Sequence, residues 1–435
     1  MLATGPMGAI IIPAQPKQQL VSEAMAYPTT GSDTDISHKR LITICCMVTF
    51  GCYFTVSMRL PVVPLFALDL GMTTAQVGFV NAAFYLTAGL FSLPSGILAD
   101  RFGRRQVALT GSGILCVGMF MLFFGSSFMQ FAGIYLLLGV GMAAFGPTMM
   151  SWVAAVTPPT YLGRAYGWYT TAIFCGLGLG PAAGGATGQI LGLKPVFLLA
   201  ACLLVFNFLA VGHFLPYRKH RAPTRAGRGI WRDNITEIAL NRPMVGCWVI
   251  TLGANIVSGM FFTFMPLHAQ TKGLVVGEIG LIFFVQALSN AISRIPFGAL
   301  SDRVHQRKHL ALLGALLVAF SIGSFCVATR FFHFLILALG LGVSMAVAFT
   351  AIGALVAETA LPRFKGLAMG GYNSCIYLGM MTGSFGLGPV IERSGFAEGF
   401  ITTGLMYLPF ILIFVWFMSG YRQQEAEKVE GTPDR

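Results

Sequence analysis

Arg59 and Arg294 each interrupt a long apolar stretch of this 435-residue chain, and none of its 16 aspartates and glutamates stands near the middle of such a stretch. A guanidinium stays protonated in proteins. In apolar surroundings it must run its stem back to a polar boundary or hold a negative charge, because an unpaired cation in low dielectric is costly. The first option makes each arginine a plain anchor; the second makes Arg59 or Arg294 a binder of a carboxylate, phosphate or other anionic group. Hydrogen-bonding and aromatic side chains recur in the same stretches: Asn81 and Tyr85, Trp168 and Tyr169, Asn255, Gln286 and Asn290, Tyr372 and Asn373. With the arginines they are the candidate lining of a substrate-binding site, although Tyr and Trp serve equally well as interfacial anchors.

Catalytic patterns do not occur in the sequence. There is no Walker loop, GxGxxG, GxSxG or HExxH, so the chain by itself reads as neither an enzyme nor an ATP-driven pump. Its nine cysteines lie in apolar runs without CxxC or Cys/His spacing and read as small packing residues, so no metal site and no cofactor are expected.

The elements that must hold these residues follow from composition. With 55% hydrophobic and 10% charged residues and a mean hydropathy of +0.74, the chain cannot build a soluble surface, which ordinarily needs about 25% charge. Stretches long enough to cross about 30 Å of hydrocarbon need about 20 helical residues. Twelve occur, near 41–66, 74–99, 106–126, 129–156, 165–190, 194–215, 244–269, 276–300, 309–329, 331–356, 365–390 and 397–419. An all-α membrane protein with 12 transmembrane helices is expected, numbered here as spans 1 to 12. At ~1.5 Å per residue, Arg59 lies ~8 Å to one side of its span midpoint and Arg294 ~9 Å to the other.

Lysine and arginine number 28 and give a net charge of +12, which on a soluble chain would point to nucleic acid. Here 22 of the 28 fall on the side of the termini, so the positive-inside rule places both termini in the cytoplasm and removes nucleic acid as a partner. The expected organisation is a disordered cytoplasmic tail over 1–40, a six-helix bundle over 41–215, a basic linker over 216–243, a second six-helix bundle over 244–420 and a cytoplasmic tail over 421–435.

The two bundles repeat one another. Leu93-Pro-Ser-Gly-Ile-Leu-Ala-Asp-Arg101 aligns with Ile295-Pro-Phe-Gly-Ala-Leu-Ser-Asp-Arg303, and Gly163, Gly167, Gly176 and Gly180 align with Gly366, Gly370, Gly379 and Gly383. Repeats of this kind build transporters whose halves rock around a midplane site. The loop carrying Gly96, Asp100, Arg101, Gly103, Arg104 and Arg105 resembles the signature loop of the major facilitator superfamily (MFS). A degenerate copy with Gly298, Asp302, Arg303 and Arg307 falls between spans 8 and 9, where that family repeats it. The resemblance covers about residues 41–420 and implies the MFS fold, two pseudo-symmetric six-helix bundles. Physically, Gly96 lets helices approach, Asp100 caps or pairs at a span end, and the arginines are placed to bind carboxylates and helix C-termini across the interface between halves. Glu358 is the expected acidic partner of Arg303 or Arg307; its first-half counterpart is Ala155.

Span 5 contains Gly176, Gly180, Pro181, Gly184 and Gly185, which resembles the GxxxGPxxGG motif of the antiporter and exporter branches. Small residues at i, i+4 and i+8 make a flat packing face, and Pro181 removes a backbone hydrogen bond. One departure stands out: exporters usually carry an arginine in span 4, four residues before a Gly-x-Gly, and Tyr135 occupies that place before Gly139 and Gly141. The resemblance implies a secondary transporter working by alternating access, with efflux or antiport of a drug-like, amphipathic compound first. A small organic anion or an anionic metal chelate such as that of iron, and a non-transporting sensor or scaffold, are the alternatives. The expected setting is a bacterial cytoplasmic membrane or one derived from it. The expected partners are the bilayer, a small-molecule solute and a coupling proton, with the chain acting as a monomer.

Overall fold

Twelve long apolar runs separated by short glycine- or proline-bearing loops give twelve long helical spans. The computed structural model of the chain describes residues 38–157, 161–216, 241–303, 307–359 and 365–419. The amino-terminal tail to residue 37, the linker across 217–240 and the tail from 420 lie outside these residues.

Among the described residues all regular structure is helical, as expected. Span 1 is His38–Ser57 followed by Arg59–Asp69; span 2 is Thr74–Phe102, span 3 Arg104–Phe124, span 4 Phe128–Val156, span 5 Leu162–Leu191 and span 6 Leu193–Phe214. Span 7 is Arg242–Thr271, span 8 Val276–Arg303, span 9 Arg307–Gly323 continued by a 3-10 turn at Ser324–Val327, span 10 Phe331–Thr359, span 11 Lys365–Ser394 and span 12 Phe396–Met418. Eleven helices among the described residues are long and apolar enough to cross a membrane on length and composition alone. The twelfth, span 5, is 30 residues long, its apolar character diluted by glycine. It packs along spans 1 and 8, which carry it through the same layer.

The sequence reads span 1 as one helix, and the structure carries one span from Lys39 to Asp69, with a break in its hydrogen-bond ladder at Met58, which keeps helical φ and ψ of −52° and −30°. Pro61 explains the break: its missing N–H leaves the Ser57 carbonyl without the bond that a continuous helix would make. Arg59 therefore opens the second helix.

Caps and turns fix the rest. Thr73 and Gln76 form a capping box at the head of span 2, with bonds of 3.3 and 3.0 Å between each side chain and the other's backbone N–H. Ser127 and Asn241 cap spans 4 and 7 through Gln130 N and Met244 N. The inter-span turns repeat like the motifs. Gly71 and Gly273 end the loops after spans 1 and 7 with φ of 79° and 81°, and Gly192 and Gly395 join spans 5 to 6 and 11 to 12 with φ of 89° and 92°. Only glycine enters that region without strain.

Helix pairing is duplicated as well. In the first half span 2 packs on 4, 3 on 4, 1 on 5 and 3 on 6; in the second, span 8 packs on 10, 9 on 10, 7 on 11 and 9 on 12. Two seams join the halves, spans 2 with 11 and 5 with 8. The perimeter displays large apolar side chains such as Leu90, Phe206, Phe320, Phe332, Leu412 and Trp416. Thr49, Asn81, Thr251, Asn255 and Gln286 are buried inside. That inversion of the soluble pattern is what a lipid solvent demands.

Gly192→Ala and Gly395→Ala are each expected to lower thermal stability by about 1–3 kcal/mol through the strain of a Cβ at positive φ. Thermal melts of the detergent-solubilised chain read this directly.

Candidate functional site: a cleft between the halves

Both seams close at the face opposite the termini, and they close through glycine. A Cβ on Gly185 of span 5 would stand 2.5 Å from the Val276 carbonyl oxygen and 3.1 Å from Cα of Gly280 in span 8. A Cβ on Gly280 would in turn meet the Pro181 carbonyl oxygen at 2.5 Å. In the other seam Gly78 of span 2 lies against the Ser384 carbonyl, and a Cβ on Gly388 would come within 2.8 Å of Cα of Ala75. The register continues inward to Gly178 beside Ala287 and Gly89 beside Tyr377.

Toward the terminal face the seams part. Two turns on from Gly89 and Tyr377 come Gly96 and Gly370, and three turns on from Gly178 and Ala287 come Gly167 and Gly298. Among the described residues Gly96, Gly370 and Gly167 have nothing within 4 Å of a built Cβ, and Gly298 has only Thr350 of its own half at 3.7 Å. Among the described residues spans 4 and 10 make no extensive contact with each other, and span 1 packs on span 7 chiefly through its second helix. Among the described residues the result is a cleft between the halves, sealed at one face and open at the face bearing the termini.

The two arginines occupy different settings. Arg59 is 4% exposed, with its guanidinium carbon 4.3 Å from the ring centre of Phe84 and 4.7 Å from that of Tyr135; its Nε has no hydrogen-bond partner. Two ring faces thus enclose the cation inside the first half, and it does not snorkel. Tyr135 is the residue standing where exporters carry an arginine, so span 1 supplies a cation beside the position where span 4 lacks one. Arg294 is half-buried at the point where the span 5 and span 8 seam opens. Its Nε donates to Asn290 Oδ1 at 2.8 Å, and its guanidinium carbon lies 4.3 Å from the ring centre of Phe174 in the opposite half. Tyr372 of span 11 lies close enough to act on it electrostatically.

The remaining predicted residues divide. Asn290, Arg294 and Tyr372 come together, as do Arg59 and Tyr85, whose ring sits edge-on to Phe84 at 5.4 Å. Gln286 is buried and donates to Met345 Sδ at 3.4 Å. Asn81, Asn255 and Asn373 spend their amide N–H on carbonyls of their own helices, Val77, Thr251 and Met369. Tyr169 is buried and donates to the Gly146 carbonyl at 3.1 Å, a tie between spans 5 and 4. Trp168 is 63% exposed and joins neither arginine cluster.

Phe84, Phe174 and Tyr377 were not singled out from sequence. Phe174 shares a face with Gly178 at i and i+4, a second stripe beside the one formed by Gly176, Gly180 and Gly184. The Gly176 stripe packs on span 1, while Gly178 and Gly185 face span 8.

In the first motif loop Arg104 donates from Nε to Ser151 Oγ at 3.0 Å and Arg105 donates to the Gly212 carbonyl near the C-terminus of span 6, both bonds within their own half. With the halves parted at that face, the nearest acceptors are a span 4 hydroxyl and a carbonyl near the end of span 6. Gly103 takes φ of 99° between spans 2 and 3, so the motif needs glycine there. In the second copy Arg307 is paired with Glu358, and its Nε donates to the Ser301 carbonyl at 3.1 Å. The side chains of Asp100, Asp302 and Arg303 lie outside the described residues.

A duplicated six-helix bundle split by a cleft with one face sealed has the build of a solute transporter. The sequence profile of the Major Facilitator Superfamily matches residues 45–277 and 272–433. The chain belongs to that superfamily, and is a multi-pass membrane transporter and not an enzyme. An uncharacterised MFS-type transporter of Methanocaldococcus jannaschii is 22% identical over 356 residues, covering 81% of this chain and 91% of the relative. Multidrug resistance protein MdtG of Salmonella typhi is 27% identical over 301 residues, 66% of this chain and 72% of MdtG. The crystal structure of a bacterial homologue of the human lysosomal transporter Spinster, inward-facing and unoccupied, superposes with a TM-score of 0.73 at 14% identity, covering 89% of this chain and 97% of that one.

Charge and volume at Arg59 are separable. Arg59→Met keeps the stem between Phe84 and Tyr135 and should leave thermal stability within about 1 kcal/mol, since a desolvated cation is exchanged for apolar volume. Arg59→Ala empties the space between the rings and should cost about 2 kcal/mol or more. Paired melts of the two variants decide it.

Proposed function

We propose that this chain exports small amphipathic solutes by alternating access, in antiport with protons, as a monomer. The observation that carries the reading is the one-sided glycine seal. Gly185, Gly280, Gly78 and Gly388 are spent on close approach at one face, while Gly96 with Gly370 and Gly167 with Gly298 stand in register at the other, where a Cβ would meet no described residue of the opposite half. A scaffold or sensor with fixed halves has no use for a second set of glycines facing empty space. In this reading the segments 41–215 and 244–420 are the two rocking bodies, and the basic side chains around the termini support an open face turned to the cytoplasm of a bacterial cell. Export is further supported by the similarity to MdtG, whose name marks multidrug resistance, and by the glycines and Pro181 of span 5. The cation of Arg59 beside Tyr135 removes part of the departure from the exporter pattern.

In the alternate state Gly96 should meet Gly370 and Gly167 should meet Gly298. The pairs Gly96→Cys with Gly370→Cys and Gly167→Cys with Gly298→Cys, built after replacing the nine native cysteines, are expected to cross-link in cycling protein, abolish transport when oxidised and recover it on reduction. Efflux of an amphipathic dye from proteoliposomes should accelerate with an imposed pH gradient and stop when it is collapsed. Absence of both cross-links together with absence of flux would return the chain to the sensor class.

A further inference from the structure

We infer that the solute is an amphipathic organic monoanion and that Arg294 is its anchor, with Phe174 and Tyr372 framing the apolar body from the two halves. This deepens the reading of the cleft as the solute path, and rests on it.

Arg294 stands where the seam of spans 5 and 8 unzips, beyond Gly178 and Ala287 and before the parted pair Gly167 and Gly298. A side chain there is reached from the open face. One of its donors, Nε, is held by Asn290, itself buried, and this bond fixes the direction of the guanidinium. A guanidinium over a ring face keeps its in-plane N–H groups for a bidentate carboxylate or phosphonate. Among the described residues the ion pair found is that of Arg307 with Glu358 at the terminal end of the spans, so no protein carboxylate occupies those donors. Arg59 does not compete for the solute in this state, because Phe84 and Tyr135 cover it and it is 4% exposed.

Organic cations fit poorly. Among the described residues Asp69, Glu278, Glu358, Glu392 and Glu398 all sit at or near helix ends, so none of these carboxylates stands beside Phe174 and Tyr372 to receive one. A bare metal ion fits no better, because among the described residues no group of His, Cys, Asp and Glu could hold one. The geometry also ties binding to movement. The contact of Arg294 with Phe174 joins the halves at the edge of the opening, so an anion that takes up the guanidinium alters a contact whose strength differs between the two states of the transporter.

The test uses three probes with one ring and three charges: 1-naphthaleneacetate, its amide 1-naphthaleneacetamide, and 1-naphthylmethylamine. Binding is measured at neutral pH to the full chain in detergent. The wild type should prefer the anion over the amide by roughly tenfold or more, as a charge-assisted bidentate contact allows, and the amide over the cation. Arg294→Gln should bring the anion down to the affinity of the amide while leaving the amide unchanged, which shows at once that the variant is folded. Arg294→Lys should keep part of the preference, Arg59→Gln should keep the order of the three, and Phe174→Ala should weaken all three by similar factors. The inference is overturned if the wild type binds the cation as well as the anion, if it binds none of the three, or if the order survives Arg294→Gln. Each of these results leaves the cross-linking and flux tests of transport untouched, so the two failures are distinguishable.

Discussion

Backbone meets backbone inside a bilayer only where side chains are missing, and the closed face of this protein is made of that contact. Between helices in lipid there is no hydrophobic gain to be had from burying leucine against leucine, so close packing and aligned dipoles must hold the halves together. Gly185 against Val276 and Gly280, and Gly78 against Ser384, supply it. Everything else depends on that choice: the cleft opens because the same seams lack contact further along, and the arginines differ because one lies inside a half and the other at the edge of the seam.

The treatment of charge follows from the same solvent. Arg59 is kept within the membrane layer by stacking between two rings, an arrangement that needs no counter-ion and that a lysine would fit less well. Arg294 is only half enclosed, with an asparagine steering it and a ring from the other half beneath it. The protein thus uses aromatic faces twice to carry a cation through hydrocarbon, once as a fixed part of a bundle and once across the moving boundary.

Much of the fold was legible in the sequence, because membrane crossing imposes run length and the tandem repeat imposes register. The twelve spans, the duplicated loop at Asp100 and Asp302 and the glycine correspondences needed only counting. Span 1 runs on as one helical span, and the interrupted ladder at Met58 leaves no trace in the apolar pattern, because its cause, Pro61, acts on the backbone and leaves hydropathy untouched. The site was less legible. Periodicity could nominate Arg59 and Arg294 as unexplained cations, but Phe84, Tyr135 and Phe174 come from other helices, and no one-dimensional pattern shows which rings a guanidinium will meet. For the signature-loop arginines the sequence leaves the partners open: Arg104 and Arg105 find acceptors in spans 4 and 6, and whether they reach the other half depends on a conformational state that sequence does not encode.

The repeat also carries a small flaw with a clear outcome. Gly71 and Asp100 find their counterparts Gly273 and Asp302 at one spacing, whereas Phe128 and Gly192 match Phe331 and Gly395 at a spacing one residue longer. The second half therefore gained a residue, or the first lost one, between Arg303 and Phe331 or the matching stretch of the first half. A residue inserted into a helix rotates everything beyond it by about 100°, which in spans 5, 8, 11 or 2 would turn glycines out of the seams. The length change falls instead between the motif loops and Gly111 or Gly314, ahead of the bodies of spans 3 and 9, which form neither seam. Divergence between the duplicated halves was tolerated at the rim, where helices face lipid, while the moving boundary kept step.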